Sequence, residues 1–308
     1  MTASHVPVMV QEVIDFLSPV PGAVFLDLTL GGGGHGFTLL DAIQPSGVLI
    51  GCDRDGDAVR ICRKKFAQFG RYARVHHANY SDIGKILFEE GFDSVDGALF
   101  DLGLSSIQLD TSGRGFRMTS SDPLDMRMDP RGGTTAADLV NGLKEVELAD
   151  IIYLYGEERR SRSISRAIGR ARENKPIERC DELAAIVASA VARSGGGGSR
   201  GRQKIHPATR TFQALRIAVN EELEALERTL KDVVDILRPG ARIVVISFHS
   251  LEDRIVKNVF RELSSGMDNF SSLRLITRKV VRPGEEELTT NPRARSAKLR
   301  AAEKQGSG

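Results

Sequence analysis

The segment Val24–Gly36 constrains the fold most strongly, because an apolar strand that ends in an acid is followed closely by four consecutive glycines. Glycines let the backbone turn sharply and approach a ligand more closely than any Cβ would permit. Gly31, Gly33 and Gly36 also match the G-x-G-x-x-G spacing of dinucleotide-binding loops. Asp27 would repel a pyrophosphate but suits a cofactor with an ammonium group near the turn. The segment therefore predicts S-adenosylmethionine in preference to NAD.

Length and composition are those of an ordinary globular protein. The 308 residues suffice for about two domains, and 41% are hydrophobic and 27% charged. No apolar stretch approaches the ~20 residues that cross a bilayer, and the N-terminus lacks the features of a signal peptide, so we expect a cytoplasmic protein without membrane contacts. Cys52, Cys62 and Cys180 lack close pairing and histidine partners, which predicts reduced thiols and no metal site.

Positive charge is unevenly distributed, although the formal net charge is only +2. The stretch from Arg193 to Arg216 holds five arginines and one lysine without an acid, and includes the glycine run 195–198. From Arg293 onwards, five basic residues accompany a single acid, Glu303. Such stretches suit phosphate contacts with nucleic acid, and they are equally typical of a solvated loop and tail.

Strand and helix patterns alternate in the first third of the chain, which indicates a parallel, doubly wound sheet. Between about Ile107 and Pro207 only helical patterns occur. One long amphipathic helix is predicted over Thr211–Leu237, and the buried strand that follows it continues the sheet. We predict an α/β domain of residues 1–106 and 207–308, interrupted by a helical domain of residues 107–206. The predicted strands are Val24–Leu30, Gly47–Asp53, Arg74–Tyr80, Val95–Leu104, Ile243–Ile246 and, at the sheet edge, Leu273–Val281.

Three acids, Asp27, Asp53 and Asp101, end three of the predicted strands. Ligands of doubly wound sheets bind at the carboxyl ends of the strands, where Asp53 could accept hydrogen bonds from both hydroxyls of a ribose. Asp101 is followed by a glycine turn and lacks the two prolines and the aromatic residue usual in amino methyltransferases. Asp53 and Asp101 could instead cap the segments that follow them. Three acids at the same edge nevertheless predict a ligand site.

Eight segments spread over nearly the whole chain resemble the bacterial 16S rRNA cytosine-N4 methyltransferases. The resemblance implies a Rossmann-like, class I S-adenosylmethionine-dependent methyltransferase sheet with an inserted helical domain for RNA recognition. It also implies N4-methylation of a cytidine, at position 1402, in the ribosomal decoding centre. The segments are Gly33–His35, Asp101–Asp110, Arg114–Phe116, Pro123–Asp129, Tyr155–Arg159, His206–Ala214, Ser247–Arg254 and Asn291–Arg295.

The same resemblance implies which residues form the site. The substrate would be 16S rRNA within the small subunit or its late precursor, and a homodimer is possible. Asp101 is the candidate catalytic residue, as acceptor for the target amine or as partner of the cofactor's amine. The ring of Tyr80, where many relatives have Phe, would pack on adenine. The implied cofactor-binding residues are Gly33, Gly34, His35, Asp53, Tyr80, Asp101 and Gln108.

Several polar and aromatic residues have two interpretations. His249 and Asp253 follow a buried strand, and they suit either catalysis or a structural turn and helix cap. His206 precedes a proline among arginines, where it could contact phosphate or begin a helix. A target base must be unstacked from folded RNA, and either Phe116 or Phe248 could receive it.

Two other classes of function share part of these features. A nicotinamide dehydrogenase would have the sheet and the glycine loop, but should lack Asp27 and the basic insertion. A non-catalytic RNA-binding assembly factor would account for the arginines and leave the three strand-end acids without a use. Each of these two functions therefore accounts for fewer of the sequence features than a methyltransferase function does.

Overall fold

A computed structural model describes residues 7–110, 113–194, 206–265 and 272–306. Contacts divide the chain into two compact units. The sheet unit comprises residues 1–107 and 223–308, and the helical unit comprises residues 108–222. The basic loop residues Arg200, Arg202 and Lys204 lie outside the described residues.

Seven strands form one sheet in the order β3-β2-β1-β4-β5-β7-β6. The first five strands run parallel, whereas β7 is antiparallel to both of its neighbours. The sequences of β1, β2, β4 and β5 are rich in apolar residues because parallel strands in the middle of a sheet are covered on both faces. The strands are β1 (Val24–Asp27), β2 (Val48–Asp53), β3 (Ala73–His77), β4 (Val95–Asp101), β5 (Leu237–Ser247), β6 (Leu273–Leu275) and β7 (Lys298–Lys304).

Thirteen α-helices occur among the described residues, and α6 to α10 belong to the helical unit. The boundary between the units falls within α5 and again at the start of α11. None of the described helices is both long and apolar enough to cross a membrane. The helices are α1 (Val10–Leu17), α2 (Gly34–Ala42), α3 (Gly56–Lys65), α4 (Ile83–Glu89), α5 (Ser106–Asp110), α6 (Ala136–Gly142), α7 (Glu145–Gly156), α8 (Ser161–Arg172), α9 (Cys180–Ser194), α10 (Thr209–Asn220), α11 (Glu222–Ile236), α12 (Ser250–Ser265) and α13 (Glu285–Thr290).

The sheet separates two hydrophobic cores. Neighbouring residues of a strand point to opposite faces, so Leu26 and Phe100 join one core while Phe25 and Leu99 join the other. The register pairs Asp27 with Leu99 and Asp101 with Ile246, so the acids at the ends of β1 and β4 lie at the same edge of the sheet. This edge is the usual ligand-binding edge of a doubly wound sheet.

The helical unit has a core of its own, built from apolar faces of α6 to α10. Residues such as Ile152, Ile164 and Leu215 are fully buried there. Thr135 and Asp138 form a capping box at the start of α6, which satisfies backbone N–H groups that a helix leaves unpaired. The unit therefore has the core and the helix caps of a compact helical domain.

The predicted long helix over Thr211–Leu237 was wrong. It is divided into α10 and α11 at Glu221, whose φ of +50° ends α10 in a left-handed conformation. Phe212 and Leu215 of α10 pack in the core of the helical unit. For this reason contacts assign residues 207–222 to the helical unit, whereas the predicted boundary assigned them to the sheet domain.

Most strands are shorter than predicted, β5 is longer than the predicted Ile243–Ile246, and one strand was missed. The strand predicted over Leu273–Val281 is regular only in β6, although it does lie at the sheet edge. The basic segment after Arg293 contains β7, where Arg300 bonds to Asp253 and Glu303 to Arg242. Much of this segment is therefore a paired strand of the sheet, although its composition also suited a phosphate-binding tail.

Candidate cofactor site

The glycine loop after β1 closes against the end of β2. The Gly31 N–H donates a hydrogen bond of 2.8 Å to Asp53 Oδ2. Gly33 has a φ of +67°, and a Cβ there would lie 2.8 Å from the Phe66 ring and 2.9 Å from Cys62 Sγ. Only glycine combines this backbone conformation with such close packing. The loop thus brings backbone N–H groups to the carboxyl edge of the sheet, directly before α2.

Asp53 holds the loop rather than the next helix. Its Oδ1 accepts a 2.8 Å hydrogen bond from the Asp55 N–H, while Asp55 itself caps α3 by accepting from the Asp57 N–H. The cap considered for Asp53 is thus formed by Asp55. Burial raises the pKa of Asp53 to about 6, against the opposing effect of the hydrogen bonds from Asp55 and Gly31. Each carboxylate oxygen has a second lone pair with which it could accept a hydroxyl.

A second group of ionisable side chains consists of Asp27, His35 and Asp101. Asp27 is 1% exposed, and burial raises its pKa to about 7, although His35 opposes this effect. His35 Nε2 lies 3.4 Å from Asp101 Oδ2. Burial alone would lower the pKa of His35, but the neighbouring carboxylates of Asp101 and Asp27 raise it above its usual value. The imidazole is thus held between two acids.

Polar atoms of the same three residues lack hydrogen-bond partners. Within the described part of the chain, Asp27 Oδ2, His35 Nδ1 and Asp101 Oδ1 are buried without a hydrogen bond, and His35 Nε2 has only its 3.4 Å contact with Asp101 Oδ2. Such atoms are rare in folded proteins and call for a missing partner, because an unpaired buried polar group costs about 1–3 kcal/mol. Two carboxylate oxygens fit the ammonium group of an amino-acid cofactor. The side chain of Asp101 is 23% exposed, so a ligand has access to it.

Aromatic rings flank the strand ends. Tyr80 follows β3 in a short 3-10 turn, and its ring meets Phe100 edge to face at 5.8 Å between centroids. The Phe248 ring after β5 lies beside Gly103, two residues beyond Asp101. Phe116 belongs to the helical unit, where its ring lies near the Arg114 guanidinium. Phe248 is therefore the one of the two suggested rings that lies next to the Asp101 strand end within the sheet unit.

Gln108 is the one predicted cofactor residue outside the sheet unit. It is 4% exposed in α5 and is counted with the helical unit. The other predicted residues belong to the sheet unit. A Cβ at Gly34 would overlap the ring of Pro7, so this glycine is required by packing even before a ligand is considered.

His249 caps a helix. Its Nδ1 accepts a hydrogen bond from the Glu252 N–H at the start of α12, and Glu252 Oε2 accepts from the Phe248 and His249 N–H groups. This reciprocal arrangement is a capping box in which histidine replaces the usual hydroxyl residue. Of the two interpretations of His249, the structure therefore supports the structural one.

Asp253 and His206 also have structural partners. Asp253 lies 2.7 Å from Arg300 Nε and 3.5 Å from Lys298 Nζ, and these cations hold its pKa below the usual value although burial acts in the opposite direction. His206 Nδ1 accepts from the Ala208 N–H just before α10 begins. Asp253 thus stabilises the packing of α12 against β7, and His206 begins a helix.

Two residues of the site were not identified from the sequence. The Thr29 hydroxyl accepts a 2.6 Å hydrogen bond from the Asp101 N–H and so joins the glycine loop to the end of β4. Glu287 adds negative charge near His35 and accepts a hydrogen bond from the Met9 N–H. Thr29 lies inside the loop motif, but Glu287 is remote in sequence and no local pattern indicates it.

The strand order 3-2-1-4-5-7-6 with antiparallel β7, together with the glycine loop and the acids at the strand ends, defines a class I S-adenosylmethionine-dependent methyltransferase. This confirms the predicted fold and the preference for S-adenosylmethionine over NAD. The sequence profile of the MraW methylase family matches residues 2–305. The chain belongs to the MraW methylase family, as the resemblance of its segments indicated.

Relatives align with the chain over almost its whole length. The protein named ribosomal RNA small subunit methyltransferase H from Geobacter sulfurreducens is 51% identical over 99% of this chain and 100% of its own. Proteins of the same name from Pelobacter propionicus and Syntrophobacter fumaroxidans are 50% and 45% identical, over 97% and 98% of this chain and 98% and 97% of their own. An rRNA methylase structure from Streptococcus thermophilus aligns over 98% of this chain and 100% of its own at 10% identity, with a TM-score of 0.44.

Proposed function

We propose that this protein transfers a methyl group from S-adenosylmethionine to N4 of a cytidine in the decoding centre of 16S rRNA. The single observation that carries the proposal is the group of unpaired buried polar atoms on Asp27, His35 and Asp101. These atoms lie at the cofactor edge of a methyltransferase sheet, in a chain about half identical to proteins named for methylation of small-subunit ribosomal RNA.

The cofactor is held by several kinds of contact in this proposal. Asp53 accepts hydrogen bonds from the ribose hydroxyls while it fixes the glycine loop. Gly33 and Gly34 let the loop backbone approach the methionyl part, and Tyr80 packs on the adenine. The carboxylates of Asp27 and Asp101 attract the ammonium group, with His35 between them. Gln108 is a further proposed contact.

The reaction depends more on the orientation of the target amine than on further activation of the methyl donor. S-adenosylmethionine supplies a methyl group that is already activated by its sulfonium charge. The Asp101 carboxylate, whose side chain is 23% exposed, accepts a hydrogen bond from the cytosine amine and orients its nitrogen for methyl transfer. As the new nitrogen–carbon bond forms, the sulfur–carbon bond breaks and the amine loses a proton, for which Asp101 is the acceptor. In this proposal Phe248, whose ring lies beside Gly103, stacks on the unstacked base.

The substrate in this proposal is the small ribosomal subunit or its late precursor. The helical unit contributes to RNA binding, and we expect the reaction in the cytoplasm, where ribosomal subunits are assembled. A homodimer is compatible with the proposal.

The test is a methylation assay with the purified protein, S-adenosylmethionine and small subunits that lack the modification. The RNA is then digested to nucleosides and analysed by mass spectrometry. We expect N4-methylcytidine to appear, at a single cytidine of the decoding centre, and to be absent when Asp101→Ala is used. A methyl group on any other atom or nucleotide, or none with both free rRNA and subunits, would overturn the proposal.

A further inference from the structure

The segment Arg159–Arg172 of the helical unit is a third stretch rich in positive charge. It contains six arginines and no acid, and it comprises α8 with the two residues before it. The stretch is described throughout, unlike the loop around Arg200. Its arginines can therefore be sorted by what they contact.

The fold uses few of these side chains. Arg172 donates to the carbonyl oxygens of Val140 and Leu143, both at 2.6 Å, and so joins α8 to the end of α6. Four arginines are exposed, and we call them the arginine ridge: Arg159, Arg162, Arg166 and Arg170.

The arginine ridge is almost without carboxylate partners. Within the described residues its one ion pair joins Arg166 to Glu145 at 3.7 Å, and these side chains are 62% and 46% exposed. A pair so exposed contributes little to stability. Other arginines of the helical unit are paired more closely: Arg127 lies 2.7 Å from Asp125, and Arg216 lies 2.8 Å from Glu222.

Helical spacing aligns the charges. Arg162, Arg166 and Arg170 recur every four residues, so they lie on one side of α8 and span about 12 Å along its axis. Ile164 and Ile168 on the opposite side are fully buried in the core. Like charges four residues apart destabilise a helix. The ridge therefore has an energetic cost within the protein, and a bound polyanion would remove it.

We propose that the arginine ridge of α8 binds the phosphate backbone of the RNA substrate. The inference rests on the proposed function, because it assigns a contact surface to the RNA that is methylated. Guanidinium groups suit phosphate because their planar donors bind its oxygens in pairs. A membrane-binding helix would have large apolar side chains beside its charges, whereas the partly exposed residues between these arginines are Arg160, Ser163 and Gly169.

The binding test compares two triple variants that change the net charge equally. The ridge variant is Arg162→Gln, Arg166→Gln and Arg170→Gln. The control variant is Arg228→Gln, Lys257→Gln and Arg261→Gln, at exposed positions of α11 and α12. Binding to unmethylated 16S rRNA is measured at several salt concentrations, and S-adenosylmethionine affinity is measured by calorimetry. Circular dichroism checks that both variants are folded.

We expect the ridge variant to bind rRNA at least about tenfold more weakly near physiological salt. The plot of log affinity against log salt should become less steep by about 2 to 3 in slope, because each lost phosphate contact reduces the steepness by about 0.7 to 0.9. The control variant should keep most of the slope, and both should bind S-adenosylmethionine as the wild type does. An unchanged slope in the ridge variant, or an equal loss in the control, would overturn the proposal.

Two further outcomes separate this inference from others. If the ridge variant loses affinity for phosphatidylserine vesicles but not for rRNA, the ridge is a membrane surface and the inference is wrong. Formation of N4-methylcytidine by the wild type is scored independently. If the wild type forms N4-methylcytidine but the ridge variant keeps the wild-type salt slope, only the proposal about the ridge is wrong. If the wild type forms no N4-methylcytidine but the ridge variant has a less steep salt slope, only the proposed reaction is wrong.

Discussion

The imidazole of His35 lies with Nε2 3.4 Å from Asp101 Oδ2, and both residues are near the buried carboxyl group of Asp27. The imidazole therefore has two acids as neighbours, of which only Asp101 has appreciable exposure to solvent. A partly exposed carboxylate is thus paired with a buried imidazole. This arrangement leads to the first two predictions.

Asp101→Asn keeps the shape of the side chain and removes its charge. We expect the single-turnover rate of methylation to fall at least ~100-fold, because a positioned proton acceptor is lost, while S-adenosylmethionine affinity changes much less. Rapid-quench kinetics and calorimetry measure the two quantities. If affinity collapses while the rate at saturating cofactor is kept, Asp101 is a binding residue. Normal values of both would exclude it from the mechanism.

Stability should decrease as the pH rises from about 4 to 7, in part because of Asp27. Its folded-state pKa of about 7 exceeds the ordinary 3.8, so the folded protein binds the extra proton and loses this advantage as the pH passes through that range. The raised pKa of His35 acts in the same direction. Asp27→Asn should reduce the change in the free energy of unfolding between pH 4 and 7, measured by urea denaturation, by an amount on the order of 1–4 kcal/mol. A parallel curve for wild type and variant would contradict this.

Asp53→Ala should weaken S-adenosylmethionine binding by about 1.5–3 kcal/mol, because two ribose hydroxyls lose a charged acceptor. The loss of the hydrogen bond from the Gly31 N–H adds to the effect by loosening the loop. Asp55→Ala is the matched control: it removes the cap of α3 and about 1 kcal/mol of stability, with cofactor affinity kept. Calorimetric titration of both folded variants decides. If Asp53→Ala binds S-adenosylmethionine as tightly as the wild type does, Asp53 is not a cofactor-binding residue.

Gly33→Ala and Gly32→Ala form a second matched pair. A Cβ at Gly33 meets Phe66 and Cys62 from a left-handed backbone, whereas a Cβ at Gly32 has no atom within 4 Å among the described residues. We expect Gly33→Ala to lower the free energy of unfolding by about 1–3 kcal/mol and Gly32→Ala to change it little. Urea denaturation without cofactor measures both. Similar losses in the two variants would show that the close packing at Gly33 has no special cost.

Local patterns predicted most of the sheet because its strands are short apolar runs. The end of β2 at Asp53 was also predicted, whereas β1 and β4 end at Asp27 and Asp101, three residues before their predicted ends. β7 was missed for an identifiable reason: its charged residues are balanced by partners far away in sequence, Arg300 by Asp253 and Glu303 by Arg242. Without those partners in view, Lys298–Lys304 has the composition of a basic tail.

The site was predictable where residue type alone limits the choice. Asp53 and the glycine loop follow from motif and spacing. The break at Glu221 could not be foreseen, because a non-glycine residue with φ of +50° has no sequence signal. Nor could the role of His249 be decided, since a histidine before a helix is compatible with both catalysis and capping until its bond to the Glu252 N–H is seen.

The position of β7 between β5 and β6 determines the order in which the sheet can form during synthesis. Ser247 of β5 pairs with Lys298 of β7, 51 positions later. While the ribosome makes the intervening residues, β5 has one unpaired edge, which is the kind of edge that recruits other chains. The hydrogen bonding of β5 is therefore completed only after β7 has emerged from the ribosome, and until then the edge of β5 is open to pairing with other chains.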